Sequence, residues 1–169
     1  NRGKGCAVRT GVMAAIGDVI ICTDCDLAYG LDVIKKASGI FVSDPETELV
    51  IGSRRLAKDG YEGYTFIRKL ASKTYLKVLA TAAGFKLSDS QCGFKCYRGA
   101  AGKKIFEGCE VDGFAFDFEA LIRAQKFGMK ITEMPVKIIN HRESKVHVFS
   151  DSLKMLRDIA AIKKRNKTV

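Results

Sequence analysis

The sequence predicts a single α/β domain. Short, nearly continuous apolar runs of strand length alternate with longer segments whose apolar residues recur at helical spacing. The chain has 169 residues, 47% hydrophobic and 28% charged, which suits one domain with a sizeable core and excludes a disordered chain. The longest apolar runs are far shorter than the roughly 18 residues that a membrane span needs. We find no internal repeat and no linker.

The first third of the chain predicts a helix, a strand and a second helix. Residues 5–16 carry small and apolar side chains at helical spacing, and Gly17 is a stop signal. Residues 18–23 form an apolar run typical of a strand buried on both faces. Residues 31–37 predict a short helix.

The middle of the chain continues this alternation. A second apolar run at 48–52 predicts another buried strand, and turn signals over 56–64 predict a loop. An apolar stripe over about 65–83 predicts a long helix, and after a polar turn we expect a strand near 91–97.

The last third predicts two helices, a strand and an amphipathic tail. The helices are expected at 99–107 and 115–127, the second with a buried side made of Phe114, Phe118, Leu121 and Ile122. Residues 129–139 predict a strand in which Pro135 marks an edge or a bend.

Charge and cysteine content narrow the function classes. Lys and Arg exceed Asp and Glu by ten, which predicts an anionic partner: nucleic acid, a phosphorylated small molecule or an acidic membrane face. Six cysteines could form disulfides or a zinc site, but a chain of this length can fold without stabilising cross-links, so we expect reduced thiols. With two histidines, a His-based nucleophilic triad has little material.

Asp24-Cys25-Asp26 is the sharpest local motif. It follows the apolar run 19–22, so both carboxylates lie where a strand runs out into a crevice, the usual ligand site of open α/β sheets. In an extended chain the two would project to the same side and repel each other. A divalent cation that carries substrate phosphates would compensate this repulsion, since Mg²⁺ favours one or two carboxylates plus phosphate oxygens. The alternative is a solvated acidic turn.

Further polar clusters lie at other element ends. Arg2 and Lys4, in a glycine-rich turn before a helix, could cradle a phosphate. The other clusters are Gly52-Ser53-Arg54-Arg55, the pair Arg68 and Ser72, Asp89-Ser90-Gln91-Cys92-Gly93-Phe94-Lys95, the pair Asp117 and Glu119, and Arg142-Glu143-Ser144-Lys145.

In their order along the chain, these clusters resemble family 2 glycosyltransferases of the polyprenyl-phosphate type. The motifs are Asn-x-Gly-Lys-Gly, Thr-Asp-x-Asp-Leu, Gly-Ser-Arg, Arg-x3-Ser, Asp-x-Gln-Cys-Gly-Phe-Lys, Gly-Phe-x-Phe-Asp-x-Glu and Ser-Lys-Val. The resemblance covers essentially the whole chain. It implies a GT-A fold, with a Rossmann-like, mostly parallel sheet and flanking helices, a nucleotide-sugar donor, a divalent metal and a lipid-phosphate acceptor.

The resemblance also implies roles for individual residues. Asp24 would contact the ribose or sugar of the donor, Asp26 would hold Mg²⁺ or Mn²⁺ on the diphosphate, and Lys4 would lie on the donor side. Asp89 matches an acid near the sugar that is often cast as the catalytic base, and Gln91 would line the sugar pocket. Acceptor or donor phosphates would be held by Arg54, Arg68, Ser72 and Lys145.

Two acids and two missing stretches complete the comparison with the family. Asp117 and Glu119 match a supporting acidic pair. Family members begin with a strand ending in Pro-x-Tyr-Asn-Glu and a second strand with an Asp-Asp-like base-binding turn, and this sequence has neither. We therefore expect residues 1–149 to be the C-terminal two-thirds of the catalytic domain, without its first strands and without the half-site that reads the nucleotide base.

The function implied is transfer of a hexose, glucose from UDP-glucose, onto a polyprenyl or dolichyl phosphate with inversion and metal assistance. The alternatives are GDP-mannose as donor or polysaccharide synthesis in the same family, and, in another class, a basic nucleic-acid-binding module. Aromatic residues here follow core-like periodicity rather than interleaving with the cations, so we expect no nucleic-acid partner.

The segment 150–169 predicts a basic amphipathic helix. Its apolar stripe consists of Phe149, Leu153, Leu156, Ile159 and Ala160. One interpretation places it on an anionic membrane surface, which would put the enzyme at the cytoplasmic face of a membrane. The other packs the stripe on the core and leaves the basic tail solvated.

Overall fold

The computed structural model describes residues 1–60, 84, 87–139, 157–162, 164 and 165. The helices and strands defined within them are α1 (Lys4–Ala14), β1 (Val19–Cys22), α2 (Asp32–Ser43), β2 (Thr47–Ser53), β3 (Lys95–Arg98), α3 (Gly99–Phe106), α4 (Phe116–Lys126) and β4 (Lys130–Pro135). Residues 157–162 are also helical. The helix predicted at 65–83 lies outside the described residues.

Each element predicted within the described residues is present, with shifted ends. Helix α2 runs six residues beyond its predicted end, because Phe41 continues the buried series begun by Val33 and Ala37. Strand β3 starts later than predicted, at Lys95, because the chain turns just before it: Cys92 N donates to Asp89 O at 3.3 Å.

The sheet has the order β1-β3-β2-β4. Strand β3 is antiparallel to both β1 and β2, whereas β2 and β4 are parallel. Three of the four strands therefore run in one direction, as a mostly parallel sheet requires, but two of the three pairings are antiparallel. As a result, the carboxyl ends of β1, β2 and β4 and the amino end of β3 share one edge of the sheet.

Strand β1 is less buried than predicted. Of its four residues only Ile20 is buried, at 6% exposure, and the other three are partly exposed. The prediction of burial on both faces is wrong here because β1 is the outermost strand of the described sheet. Strand β4 is outermost on the other side and ends at Pro135, which confirms the predicted edge or bend.

Helices cover both faces of the sheet. Leu49 and Ile51 point into one apolar cluster and Val50 into the other, since alternate strand residues face opposite sides. The first cluster contains residues of α1, α3 and α4 together with Ile159 and Ile162, and the second contains those of α2. The result is a three-layer α/β/α arrangement.

Two apolar predictions need correction. Phe114 was expected on the buried side of α4, but it lies in the turn before the helix and is 42% exposed. In the C-terminal stripe, Ile159 is buried, which agrees with the interpretation that packs the stripe on the core, but Ala160 is exposed and Ile162 takes the second core position. Within the described residues, no helix is both long and apolar enough to cross a membrane.

Candidate active site at the strand ends

Polar side chains from four elements meet at the edge where β1, β2 and β4 end and β3 begins. Asp24 and Asp26 follow β1, Arg54 follows β2, and Glu133 lies near the end of β4. Residues 88–93 lead into β3 at the same edge. Because β3 runs opposite to β1 and β2, the loop before β3 lies beside the carboxyl ends of those two strands.

The Asp24–Asp26 motif forms a turn rather than the extended chain that we expected. Leu27 N donates to Asp24 O at 3.1 Å, and Ala28 N donates to the Asp26 Oδ1 carboxylate oxygen at 3.1 Å. Leu27 has a left-handed backbone, with a φ of 51°, which is uncommon for a residue other than glycine. Both acids are partly exposed, so their carboxylates are accessible from the crevice.

Lys4, at the start of α1, binds the first acid of this turn. Its Nζ lies 2.6 Å from Asp24 Oδ1. Desolvation acts to lower the pKa of Lys4, but the hydrogen bond and the charge of Asp24 outweigh it, and the pKa is raised. Lys4 and Asp24, which the family resemblance assigns to the donor side, are therefore in contact. Arg2, expected to join Lys4, instead pairs with Asp112 at 2.9 Å.

Gly93 permits the position of the Asp24 side chain. A Cβ atom at residue 93 would overlap the Asp24 carboxylate. Gly93 N also donates to Tyr29 Oη at 3.2 Å, which fixes the backbone at this point. The backbone at Gly93, just before β3, therefore packs directly against the Asp24 carboxylate.

A buried ion pair lies beneath the acidic turn. Lys95 Nζ is 3.0 Å from Asp117 Oδ1 and donates to Cys92 O at 2.6 Å. Burial raises the pKa of Asp117, although the positive charges of Lys95 and Lys4 oppose the rise. With Asp24 and neighbouring residues these groups line a cavity of about 30 Å³. The first-turn acid of α4 therefore belongs to the floor of the site.

Arg54 and Asp89 form a second buried pair. Arg54 Nε is 2.6 Å from Asp89 Oδ2 and Arg54 Nη2 is 2.8 Å from Asp89 Oδ1, while Arg54 N donates to Oδ2 at 3.1 Å. The Asp89 side chain is fully buried and that of Arg54 is 12% exposed. Burial alone would lower the pKa of Arg54, but the bonds and charge of Asp89 raise it.

Glu133 supports this pair from β4. Its carboxylate accepts hydrogen bonds from Ser88 N at 2.9 Å, Ser88 Oγ at 2.6 Å and Asp89 N at 3.3 Å. Ser88 Oγ is also 2.6 Å from Ser53 Oγ, at the end of β2. The chain leading to Asp89 is thereby tied to both neighbouring strands.

Gln91 and Glu119 complete the described candidates. The Gln91 Nε2 amide is buried and has no hydrogen-bond partner among the described residues. Glu119 accepts from Glu110 N at 2.9 Å and Val111 N at 2.8 Å, and it pairs with Arg165 at 3.2 Å. Glu119 therefore braces a loop and the C-terminal segment, whereas Asp117 faces the site, so the two do not act at one place.

Three predicted phosphate-binding residues lie outside the described residues: Arg68, Ser72 and Lys145. Conversely, sequence reasoning gave no role to Glu133, Tyr29 or Lys95. Lys95 stands within the noted cluster before β3, where a lysine in an apolar strand could have been read as a buried, paired cation. Glu133 carries no such signal, because an acid on an edge strand normally faces water.

The donor set of the acidic turn fits a divalent cation. Asp24 and Asp26 supply oxygen ligands at an open crevice, and Mg²⁺ or Mn²⁺ would take further ligands from substrate phosphates. No three His, Cys, Asp or Glu side chains converge as a complete metal cage in the part of the chain that the structure describes.

Curated sequences match nearly the whole of this chain. It is 30% identical over 169 residues to a dolichyl-phosphate beta-glucosyltransferase of Dictyostelium discoideum, covering 98% of this chain and 52% of the relative. It is 31% identical over 170 residues to a Homo sapiens protein of the same name, with the same coverage. The chain thus spans about half the length of the curated relatives it matches. No family model matches it.

Solved structures agree on the fold. Glucosyl-3-phosphoglycerate synthase from Mycobacterium tuberculosis with bound UDP superposes with a TM-score of 0.69 at 18% identity, covering 95% of this chain and 55% of that one. The same enzyme with Mn²⁺, UDP-glucose and glycerol 3-phosphate gives a TM-score of 0.68, also at 18% identity, with the same coverage. These structures have the GT-A fold, which confirms the predicted fold class.

Proposed function

The chain belongs to the family 2 glycosyltransferases, and from this premise we propose that the protein containing it transfers glucose from UDP-glucose to a polyprenyl phosphate of the dolichyl type. One observation carries the proposal: at a single sheet edge, the Asp24–Asp26 turn with Lys4 lies on one side and the partly buried Arg54 on the other. Such an edge offers separate places for a metal-bound diphosphate and for a second phosphate.

On the donor side, Asp24 and Asp26 would hold the cation, which when bound supplies positive charge to the leaving diphosphate. Lys4 adds a positive charge next to the turn, 2.6 Å from Asp24. The Gln91 Nε2 amide is buried beside this edge and has no hydrogen-bond partner among the described residues, which supports a role in binding a sugar hydroxyl. Together these groups favour departure of UDP, because they neutralise the charge that develops on it.

On the acceptor side, an arginine suits a phosphate monoester because its planar fork matches phosphate oxygens. The proposed reaction is one displacement: an acceptor phosphate oxygen bonds to the anomeric carbon as the bond to UDP breaks. UDP-glucose is an α-glycoside, and the names of the curated relatives specify a β product. We therefore propose that the transfer inverts the anomeric centre.

The proposal also includes a location. A polyprenyl acceptor lies in a bilayer, so the crevice must reach a membrane surface. The six cysteines are free thiols, which supports a reducing compartment and hence the cytoplasmic face.

The test is a transfer assay on the full-length protein with UDP-glucose or GDP-mannose and an isoprenyl phosphate, with and without Mn²⁺. We expect metal-dependent transfer from UDP-glucose, loss of metal-dependent UDP binding in Asp26→Asn, and no change in Asp32→Asn, an exposed acid at the start of α2. A preference for GDP-mannose would contradict the donor. Equal UDP affinity of Asp26→Asn and wild type would contradict the metal site.

A further inference from the structure

The structure assigns Asp89 the role of a positioning residue that acts through Arg54, with Glu133 fixing Asp89 in turn. This inference rests on the proposed function, since it concerns how an acceptor phosphate is held. It replaces the role of catalytic base that the family resemblance implies for Asp89.

The first argument is the occupancy of the Asp89 carboxylate. Both oxygens accept hydrogen bonds from the Arg54 guanidinium, at 2.6 and 2.8 Å, and Oδ2 also accepts from Arg54 N at 3.1 Å. The Asp89 side chain has no exposed surface. A general base must lie within hydrogen-bond reach of the proton that it removes, and this carboxylate is directed at an arginine.

The second argument is the chemistry of the acceptor. The second pKa of a phosphate monoester is about 6, so near neutral pH the attacking oxygen already carries negative charge. Displacement of UDP then requires no proton to be removed from the acceptor. What the acceptor needs from the protein is a cation that binds its phosphate oxygens, and a correctly oriented guanidinium does this through two parallel hydrogen bonds.

The third argument is the support behind Asp89. The Glu133 carboxylate receives Ser88 N, Ser88 Oγ and Asp89 N, at 2.9, 2.6 and 3.3 Å. An acid that collects three hydrogen bonds from two consecutive residues fixes the backbone there. The series from Glu133 to Asp89 to Arg54 thus sets the angle of the guanidinium, and a planar bidentate donor depends strongly on its angle.

The experiment uses the full-length protein and a short isoprenyl phosphate as the acceptor probe. Asp89→Asn replaces one acceptor oxygen by an N–H group that repels the guanidinium, so the acceptor KM should rise about tenfold or more while kcat changes by less than about threefold. The acid limb of kcat/KM should stay near the second phosphate pKa. A fall in kcat of about 100-fold with an unchanged acceptor KM, and a lost acid limb, would overturn the inference.

A double-mutant cycle separates positioning from a general loss of structure. If Asp89 acts only through Arg54, then Asp89→Asn should have little further effect on acceptor KM in an Arg54→Lys background. Multiplicative effects would contradict the inference. Glu133→Gln should raise the acceptor KM in the same direction, and Glu107→Gln, an exposed acid after α3, is the matched control.

Calorimetric titration of the isoprenyl phosphate without donor distinguishes the two proposals. If the wild-type protein binds the probe but transfers no glucose from UDP-glucose, the proposed function fails. The positioning inference is then decided by binding alone: weaker binding by Asp89→Asn supports it, and unchanged binding overturns it.

Discussion

Lys95 and Asp117 are oppositely charged residues that lie almost fully buried beneath the acidic turn. Such a pair contributes little net stability when intact, but removal of one partner leaves an uncompensated buried charge. We expect Lys95→Met to lower the free energy of unfolding by about 3–5 kcal/mol, measured by urea denaturation. The double variant Lys95→Met/Asp117→Leu should recover most of the loss. No recovery would show that Lys95 stabilises the fold through Cys92 O instead.

The same pair predicts a pH dependence with a definite sign. Burial raises the pKa of Asp117 above its ordinary 3.8, so the stability that its neutral form contributes is present at low pH and is lost as the pH rises through the raised value. Without Lys95 the rise is larger. The stability of Lys95→Met should therefore fall from pH 4 upward more steeply than that of Lys95→Met/Asp117→Leu. Parallel pH profiles would contradict this assignment.

The rates at which individual cysteines are alkylated measure how accessible the acidic turn is. Cys25 is exposed between the two acids of the turn, whereas burial raises the pKa of Cys22 to about 11 and those of Cys96 and Cys109 to about 12. Because the thiolate is the nucleophile, iodoacetamide at pH 8 should alkylate Cys25 well before these three. Peptide mass spectrometry would measure the order. If UDP with Mn²⁺ binds at the turn, it should slow labelling of Cys25 but not of Cys6, and equal rates would contradict that placement.

At the scale of elements, the entry to β3 is shaped for the Asp24 side chain. A methyl group at Gly93 would meet the Asp24 carboxylate, which can only move away. Gly93→Ala should therefore keep the fold but weaken metal-dependent UDP binding, measured by calorimetry on the full-length protein. Gly39→Ala is the matched control: nothing lies within 4 Å of its added Cβ, and the change should stabilise α2 by about 0.5–1 kcal/mol. Unchanged UDP binding in Gly93→Ala would mean that UDP binding does not depend on the position that Asp24 takes against Gly93.

The elements themselves could be predicted from local pattern, but their pairing could not. Apolar runs and helical spacing located β1, β2, α1 and α4 to within a few residues, because burial imposes periodicity on the sequence. An apolar run carries no direction, so the reversal of β3 between β1 and β2 had no signal. This reversal is what brings residues 88–93 to the site.

In the candidate site, too, local sequence pattern identified individual residues but not the residues that they contact. Asp24, Arg54 and Asp89 were found because charged residues next to apolar strands are informative. Their partners were not, since the Arg54–Asp89 and Glu133–Ser88 contacts join residues 35 and 45 positions apart. Whether a carboxylate faces a ligand, a cation or a backbone N–H group depends on such long-range contacts. A family pattern therefore located Asp89 without defining what it binds.

At the scale of the whole molecule, we propose that the net charge of +10 and the basic C-terminal segment bring the protein to an anionic membrane. If the apolar stripe of that segment faced the membrane, its side chains would insert into lipid; if the stripe packs on the core, only the basic residues can interact with the membrane. Ile159 and Ile162 are 4% and 0% exposed in the core that α1, α3 and α4 share. These side chains are not available to lipid, so we expect any membrane binding by residues 157–162, 164 and 165 to be mainly electrostatic, at about 1 kcal/mol for each basic residue near the surface.

Electrostatic binding is sensitive to salt, because the screening length falls from about 10 Å at 0.1 M to about 3 Å at 1 M. Flotation of the 169-residue chain with vesicles containing anionic lipid tests this electrostatic contribution. We expect binding at low salt, release at 1 M salt, and weaker binding in Arg157→Glu than in Lys126→Glu, an equal charge change at the exposed end of α4. Binding that persists at 1 M salt would require inserted apolar side chains and would contradict the electrostatic mechanism. Equal losses in the two variants would mean that the charge of the whole domain, rather than the C-terminal segment, attracts the membrane.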